Sequence, residues 1–199
     1  MQATPTSRVE ILSLIHEPIA DTPGFKQRNG LLFVGGFQHP PNIDAVQWFI
    51  GEVWPLLISK LPEVTLKVVG SKMPESMRAL AQPGVEILGF VPDMEPLLLS
   101  SRISIAPLRY GAGVKGKINQ AMSYGLPVVA TPVAVEGMYL QHGDNVLVAE
   151  SATEYADAIA SLYTDDSLWD SLADGGKANI RQCFSRSVAR ETLGRLLDL

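Results

Sequence analysis

The chain has 199 residues, 46% hydrophobic and 19% charged, with a formal net charge of -5 and one cysteine. That composition fits a soluble globular protein with one substantial core, most simply a single domain. The acidic balance excludes nucleic acid as the main partner, because that role needs a broad basic face. Lone Cys183 excludes an internal disulfide and a Cys-based metal cluster, and is expected to be a half-buried core residue. The longest apolar runs, such as Leu126–Val135 with its two prolines, fall far short of the roughly 20 residues that span a bilayer. Met1–Ile15 lacks a signal-peptide layout, so the expected location is the cytoplasm, with peripheral contact to a membrane left to other parts of a complete protein.

In chain order, Val9–Ile15 reads as a strand, and Glu17–Gly30, with Pro18, Pro23 and Gly24, as a linker. Leu31–Val34 is a short apolar run delivering its chain into Gly35-Gly36, the pattern of a buried parallel strand ending in a tight turn. Asn42 or Asp44 is expected to cap the next helix, where Ile43, Val46, Ile50, Val53 and Leu57 recur at helical spacing, with a kink at Pro55. Val64–Val69 is a second strand, Pro74–Ala81 a short helix, Val85–Phe90 a third strand, Asp93–Ser100 a helix and Ile103–Ala106 a fourth strand. A helix then runs to about Tyr124 and stops at Gly125, followed by strands at Leu126–Ala130 and Asn145–Val148. Ser151 and Glu154 have capping-box spacing ahead of a helix with Tyr155, Ile159 and Leu162 as its buried stripe. Two more helices are expected at Ser167–Ala173 and Ser185–Leu197, separated by Gly175-Gly176. Trp48, Trp54 and Trp169 fall on helix faces and read as core.

Strands alternating with helices imply an α/β fold of Rossmann type, a parallel sheet covered on both faces that binds ligands at the carboxyl ends of its strands. Gly35-Gly36 and Gly111–Lys117 both follow strands and are expected to share one crevice. The second segment is chemically unusual. Arg109, Lys115 and Lys117 lie among Gly111, Gly113 and Gly116 at the start of a helix, where a cation opposes the macrodipole by about 0.3–1 kcal/mol. No Asp or Glu occurs between Glu95 and Glu136, whereas Arg102, Arg109, Lys115 and Lys117 do. Glycines allow close approach of backbone N–H groups, so the pattern points to a phosphate or diphosphate; the ordinary alternative is a solvated glycine loop with incidental lysines. A dehydrogenase is the least expected reading, although Gly111, Gly113 and Gly116 do have Gly-x-Gly-x-x-Gly spacing. An Asp-x-Asp pair is absent too, so no metal is expected on the ligand. His39, after the first glycine loop, and Glu136, after the fifth strand, lie on the ligand side and are the candidate catalytic groups, with ordinary loop roles as the alternative.

The ordered segments LLFVGGF, LKVVGS, VEILGFVPDM, ISIAPL, GAGVKGKINQAMSYGLPVVAT and GDNVLVAES resemble the C-terminal, donor-binding domain of retaining GT-B glycosyltransferases of the family 4 or group 1 type, from Leu31 to the C-terminus. The resemblance implies a metal-independent donor half that binds a nucleotide-sugar of UDP, GDP or ADP type and passes the sugar to an acceptor, whether saccharide, lipid-linked or other. By that resemblance Gly35, Gly36 and Phe37 face the donor phosphates, the backbone at Phe90 and Val91 reads the base, and Arg109, Gly113, Val114, Lys115, Gly116 and Lys117 hold the diphosphate. The family has two glutamates eight positions apart, the first on the donor sugar and the second on the ribose. Here these positions are Ala112, which cannot bond a hydroxyl, and Gln120, which can. Residues 31–199 are then the donor domain and residues 1–30 a strand and linker left from an N-terminal acceptor domain for which the chain has no room. A non-catalytic nucleotide-binding module and a nucleotide-sugar epimerase of the same fold are the competing readings.

Overall fold

A computed structural model describes residues 12–197. Its six strands are β1 (Leu31–Val34), β2 (Leu66–Val69), β3 (Val85–Gly89), β4 (Ile103–Ala106), β5 (Val128–Ala130) and β6 (Leu147–Val148). They form one sheet in the order β3-β2-β1-β4-β5-β6, with every neighbouring pair parallel. This is the α/β Rossmann-like architecture expected. Its strands read as unbroken apolar runs because helices cover both faces: Leu31, Leu32 and Phe33 are all at most 1% exposed. The chain moves outward from β1 to β3 and then returns to place β4 on the other side of β1. The strand order therefore reverses between β1 and β4, the point at which sheets of this kind take ligands at their carboxyl ends.

The helices are α1 (Pro40–Trp48), α2 (Trp54–Lys60), α3 (Glu75–Arg78), α4 (Glu95–Ser100), α5 (Gly116–Ser123), α6 (Pro132–Val135), α7 (Ala152–Thr164), α8 (Asp166–Asn179) and α9 (Arg186–Leu197). α2 packs on α7, and α7 on β4 and β5; α5 packs on α8 and on β4 and β5. Tyr155 of α7 is fully buried, and its hydroxyl joins the central strands by donating to the Val129 carbonyl at 2.6 Å and accepting from the Ala106 N–H at 3.1 Å. Trp48 and Phe49 meet its ring edge-on at 5.7 and 6.0 Å, so the tryptophan expected in the core helps to seat this polar bridge. Trp54 and Trp169 are buried as well, and Cys183 is half-buried.

Several elements differ from expectation for local physical reasons. Asn42 and Asp44 do not cap α1, because Pro40 and Pro41 already occupy its first turn and the cap position falls to His39. The disturbance expected at Pro55 takes the form of a π-turn at Phe49–Val53 just ahead of it, which accommodates the missing proline N–H without ending the helical path. Gly175-Gly176 does not separate two helices: α8 runs through it and passes into a second π-turn, Ile180–Phe184. A Cβ on Gly175 would sit 2.1 Å from the Asp144 carbonyl oxygen, so the pair is there for close packing. β2 starts at Leu66, β5 at Val128 and β6 at Leu147, each later than expected, and α6 was not anticipated. The Ser151–Glu154 capping box is present, with Ser151 Oγ accepting from Glu154 N–H at 3.2 Å.

Of the expected strand Val9–Ile15, residues 9–11 lie outside the described residues, and Leu12–Ile15 pair with no strand. Residues 16–28 are anchored to the domain. His16 N–H donates to the Phe184 carbonyl at 2.9 Å and Ile19 N–H to the Ser123 carbonyl at 2.7 Å. Arg28, 1% exposed, donates to the carbonyls of Pro23, Leu98, Ser101 and Tyr124 at 2.6–3.2 Å.

Candidate functional site

The two glycine loops leave adjacent strands on either side of the switch point, Gly35-Gly36 after β1 and Gly111–Lys115 between β4 and α5. The first loop is shaped by close approach: a Cβ on Gly70, at the end of β2, would lie 1.6 Å from the Gly35 carbonyl oxygen. The second turns through Gly111 and Gly113 with φ of 130° and 77°, which glycine adopts without strain. Pro41 of α1 lies directly against Gly111, 3.6 Å from where a Cβ would stand.

Between the loops sits Lys117, in the first turn of α5. Its Nζ donates to Asn42 Oδ1 at 2.5 Å and lies 4.5 Å from the centre of the Phe33 ring. Asn42 Nδ2 in turn donates to the Gly36 carbonyl at 2.8 Å, completing a chain from one glycine loop to the other. Burial first, and repulsion from Lys115 second, push the Lys117 ammonium down to about 7. Lys115, 9% exposed, folds back to donate to the Gly113 carbonyl at 2.6 Å; burial lowers its pKa and the Glu136 carboxylate partly offsets this. Arg109 makes a two-pronged ion pair with Asp44, its Nε 2.9 Å from one carboxylate oxygen and an Nη donating to the other. That pair raises the Arg109 pKa. Arg109, Lys115 and Lys117 therefore stand in one region, with Arg109 tied to α1, whereas Arg102 precedes β4 and donates to the Arg28 and Tyr163 carbonyls instead.

Beside this cluster lies a cavity of about 890 Å³ lined by Ala112, Gly113, Val114, Glu136, Tyr139 and Arg195 among others, with Leu12–Ile15 along one wall. Leu14 of that wall packs against the start of α5, since a Cβ on Gly116 would meet it at 2.9 Å. Glu136 is exposed at its edge. His39 is exposed at the start of α1 and does not line the cavity. Phe37 is 3% exposed and packs on Phe33 at 6.3 Å between centroids, so its side chain belongs to the core. Phe90 is 71% exposed beyond β3 and Val91 is half-buried; neither lines the cavity. Gln120 is half-buried on α5. Sequence reasoning missed Asn42 as a site residue because its partners are 6 and 75 positions away, whereas a helix cap is a local role.

A parallel sheet with this strand order and helices around it defines the class: an α/β Rossmann-like domain of the kind found in GT-B glycosyltransferases. The family model for glycosyl transferases group 1 matches residues 28–165, and the chain belongs to that family. An uncharacterized 44.6 kDa protein in the cps region of Klebsiella pneumoniae is 26% identical over 135 residues, which is 63% of this chain and 35% of that protein. Among solved structures, a point mutant of S. aureus TarM, in a complex with UDP, fondaparinux and alpha-GlcNAc-glycerol, superposes with a TM-score of 0.77 at 17% identity over 94% of this chain and 38% of that one. The C-terminal domain of LpcC from Francisella tularensis, a group 1 family glycosyl transferase, gives 0.68 at 19% identity over 85% of this chain and 96% of that one. Anabaena HepE in complex with UDP and glucose gives 0.68 at 19% identity, over 88% and 49%. The chain thus spans about a third of the length of the K. pneumoniae protein and of TarM.

Proposed function

We propose that this chain is the donor-binding half of a metal-independent, retaining glycosyltransferase, and that its crevice takes a nucleoside-diphosphate sugar. The observation that carries the reading is the Lys117–Asn42–Gly36 chain joining the two glycine loops at the switch point. Complexes of TarM and HepE with UDP support it by analogy of fold. In this reading Lys115, Lys117 and the amides of Gly113–Gly116 at the α5 N-terminus neutralise the diphosphate as it leaves with the bond electrons. Fixed dipoles and cations then do the work a metal does elsewhere. The Gly35–Phe37 backbone faces the same phosphates, the backbone at Phe90–Val91 meets the base, and Gln120 bonds the ribose. Glu136, at the cavity edge beside Ala112–Val114, is the candidate group at the sugar. The acceptor is held by a second α/β domain preceding residues 31–199, so this chain alone binds donor and transfers nothing.

A second reading, a non-catalytic nucleotide-binding module, is favoured by Ala112, which offers the sugar no hydrogen bond. A thermal-shift panel of UDP, GDP, ADP and their sugars tests both, because a ligand that binds only the folded state raises its Tm. A nucleotide-sugar that shifts Tm more than its diphosphate supports the transferase reading, and equal shifts favour the module. No shift by any nucleotide removes the donor assignment.

A further inference from the structure

Asn42 is 8% exposed and uses both ends of its amide across the site: Nδ2 on the Gly36 carbonyl at 2.8 Å and Oδ1 on Lys117 Nζ at 2.5 Å. The residue type matters. Aspartate would give Lys117 a permanent counter-ion and leave the Gly36 carbonyl without its donor, while an aliphatic side chain would leave the ammonium only the Phe33 ring. A carboxamide holds an ammonium without cancelling its charge. We propose that Asn42 is a positioning residue for diphosphate binding: it fixes Lys117 between the two glycine loops while leaving the ammonium uncompensated for an incoming anion. This rests on the donor-binding reading above.

The surroundings of Lys117 agree. Lys115, on the same segment, repels it, and Glu136, after α6, acts on Lys115. From α1 the nearby carboxylate, Asp44, is taken by Arg109, and β1 offers the uncharged Phe33 ring. Among the described residues, Lys117 therefore has only a neutral acceptor. With its pKa held near 7, the ammonium is partly discharged at neutral pH, and a bound diphosphate draws a proton onto it. Affinity then falls with pH above 7, where a terminal phosphate with a second pKa of about 6 no longer titrates.

The test is calorimetric titration of the 199-residue protein with UDP at pH 7, 8 and 9, for wild type, Asn42→Ala and Asn42→Asp, each with a thermal melt. Wild-type affinity should fall by up to about tenfold per pH unit above 7. Asn42→Ala should weaken UDP by a further factor of roughly ten at pH 8, with the fall beginning at lower pH, since the acceptor that favoured the ammonium is gone. Asn42→Asp should bind more weakly than wild type at pH 7 yet show almost no pH dependence from 7 to 9, because its carboxylate keeps Lys117 charged. A purely structural Asn42 would lower Tm and affinity by the same factor at every pH. The same pH profile in all three proteins overturns the proposal, even if affinities differ. A wild type that binds no diphosphate overturns both this and the donor reading, whereas binding with an unaltered profile in the variants overturns this one alone.

Discussion

Replacing Lys117 by methionine keeps most of the side-chain stem and removes the ammonium, which isolates the cost of holding a cation in the crevice. Burial and Lys115 lower its pKa to about 7 in the folded chain, against about 10.4 when unfolded, and each unit corresponds to 1.36 kcal/mol. The full difference would be about 4–5 kcal/mol, but the side chain is only partly buried and water relieves much of the penalty, so we expect about 1–2 kcal/mol. The sign follows from linkage. The folded pKa is depressed, so folding expels a proton; the penalty is fully present below pH 7 and vanishes as pH rises toward 10.4. Lys117→Met should therefore melt about 2–8 °C higher than wild type at pH 6.5. That gain should disappear near pH 10, where neutral lysine keeps its hydrogen bond to Asn42 and methionine has none. Melts of both proteins across this range, by circular dichroism, measure the difference directly. A Tm difference that stays constant with pH, or a variant less stable at pH 6.5, would refute the reasoning. In UDP titrations the same variant should lose roughly 10- to 150-fold in affinity, the equivalent of a charge-assisted hydrogen bond of about 1.5–3 kcal/mol.

Gly70→Ala should cost about 2–4 kcal/mol in a denaturant melt, because its Cβ falls 1.6 Å from the Gly35 carbonyl oxygen and the ends of β1 and β2 must part; unchanged stability would rule out that close approach. Gly175→Ala gains about 1 kcal/mol of helix propensity but drives a Cβ to within 2.1 Å of the Asp144 carbonyl oxygen. A net loss of about 1–3 kcal/mol is expected, and a more stable variant would restore the reading of Gly175-Gly176 as a helix break. Arg28→Met should lose about 3 kcal/mol or more in the same melt, since it leaves the carbonyls of Leu98, Ser101 and Tyr124 without their donor. A loss below about 1 kcal/mol would mean those carbonyls find other donors.

The strands were legible because a parallel sheet buried on both faces needs continuous apolar runs, and Ile103–Ala106, buried throughout, shows this directly. The glycine loops were legible because close approach and positive φ both demand glycine. What escaped the sequence depends on distant partners. Gly175 reads as a helix break until Asp144 is known to press on it. Asn42 and Asp44 read as caps until Lys117 and Arg109, 75 and 65 positions on, are seen to reach them. Lysines at a helix N-terminus signalled an anion, but only the fold shows how differently they are held: Lys115 turned onto its own loop, Lys117 held on a neutral amide.

The central claim, a diphosphate between the two glycine loops, is tested most directly by mapping amide chemical shifts of the ¹⁵N-labelled chain during UDP titration. The account predicts saturable shifts concentrated at Gly35, Gly36 and Gly113–Lys117, with smaller ones at Phe90 and Val91. Shifts confined to other surfaces, or none at millimolar UDP, would contradict it.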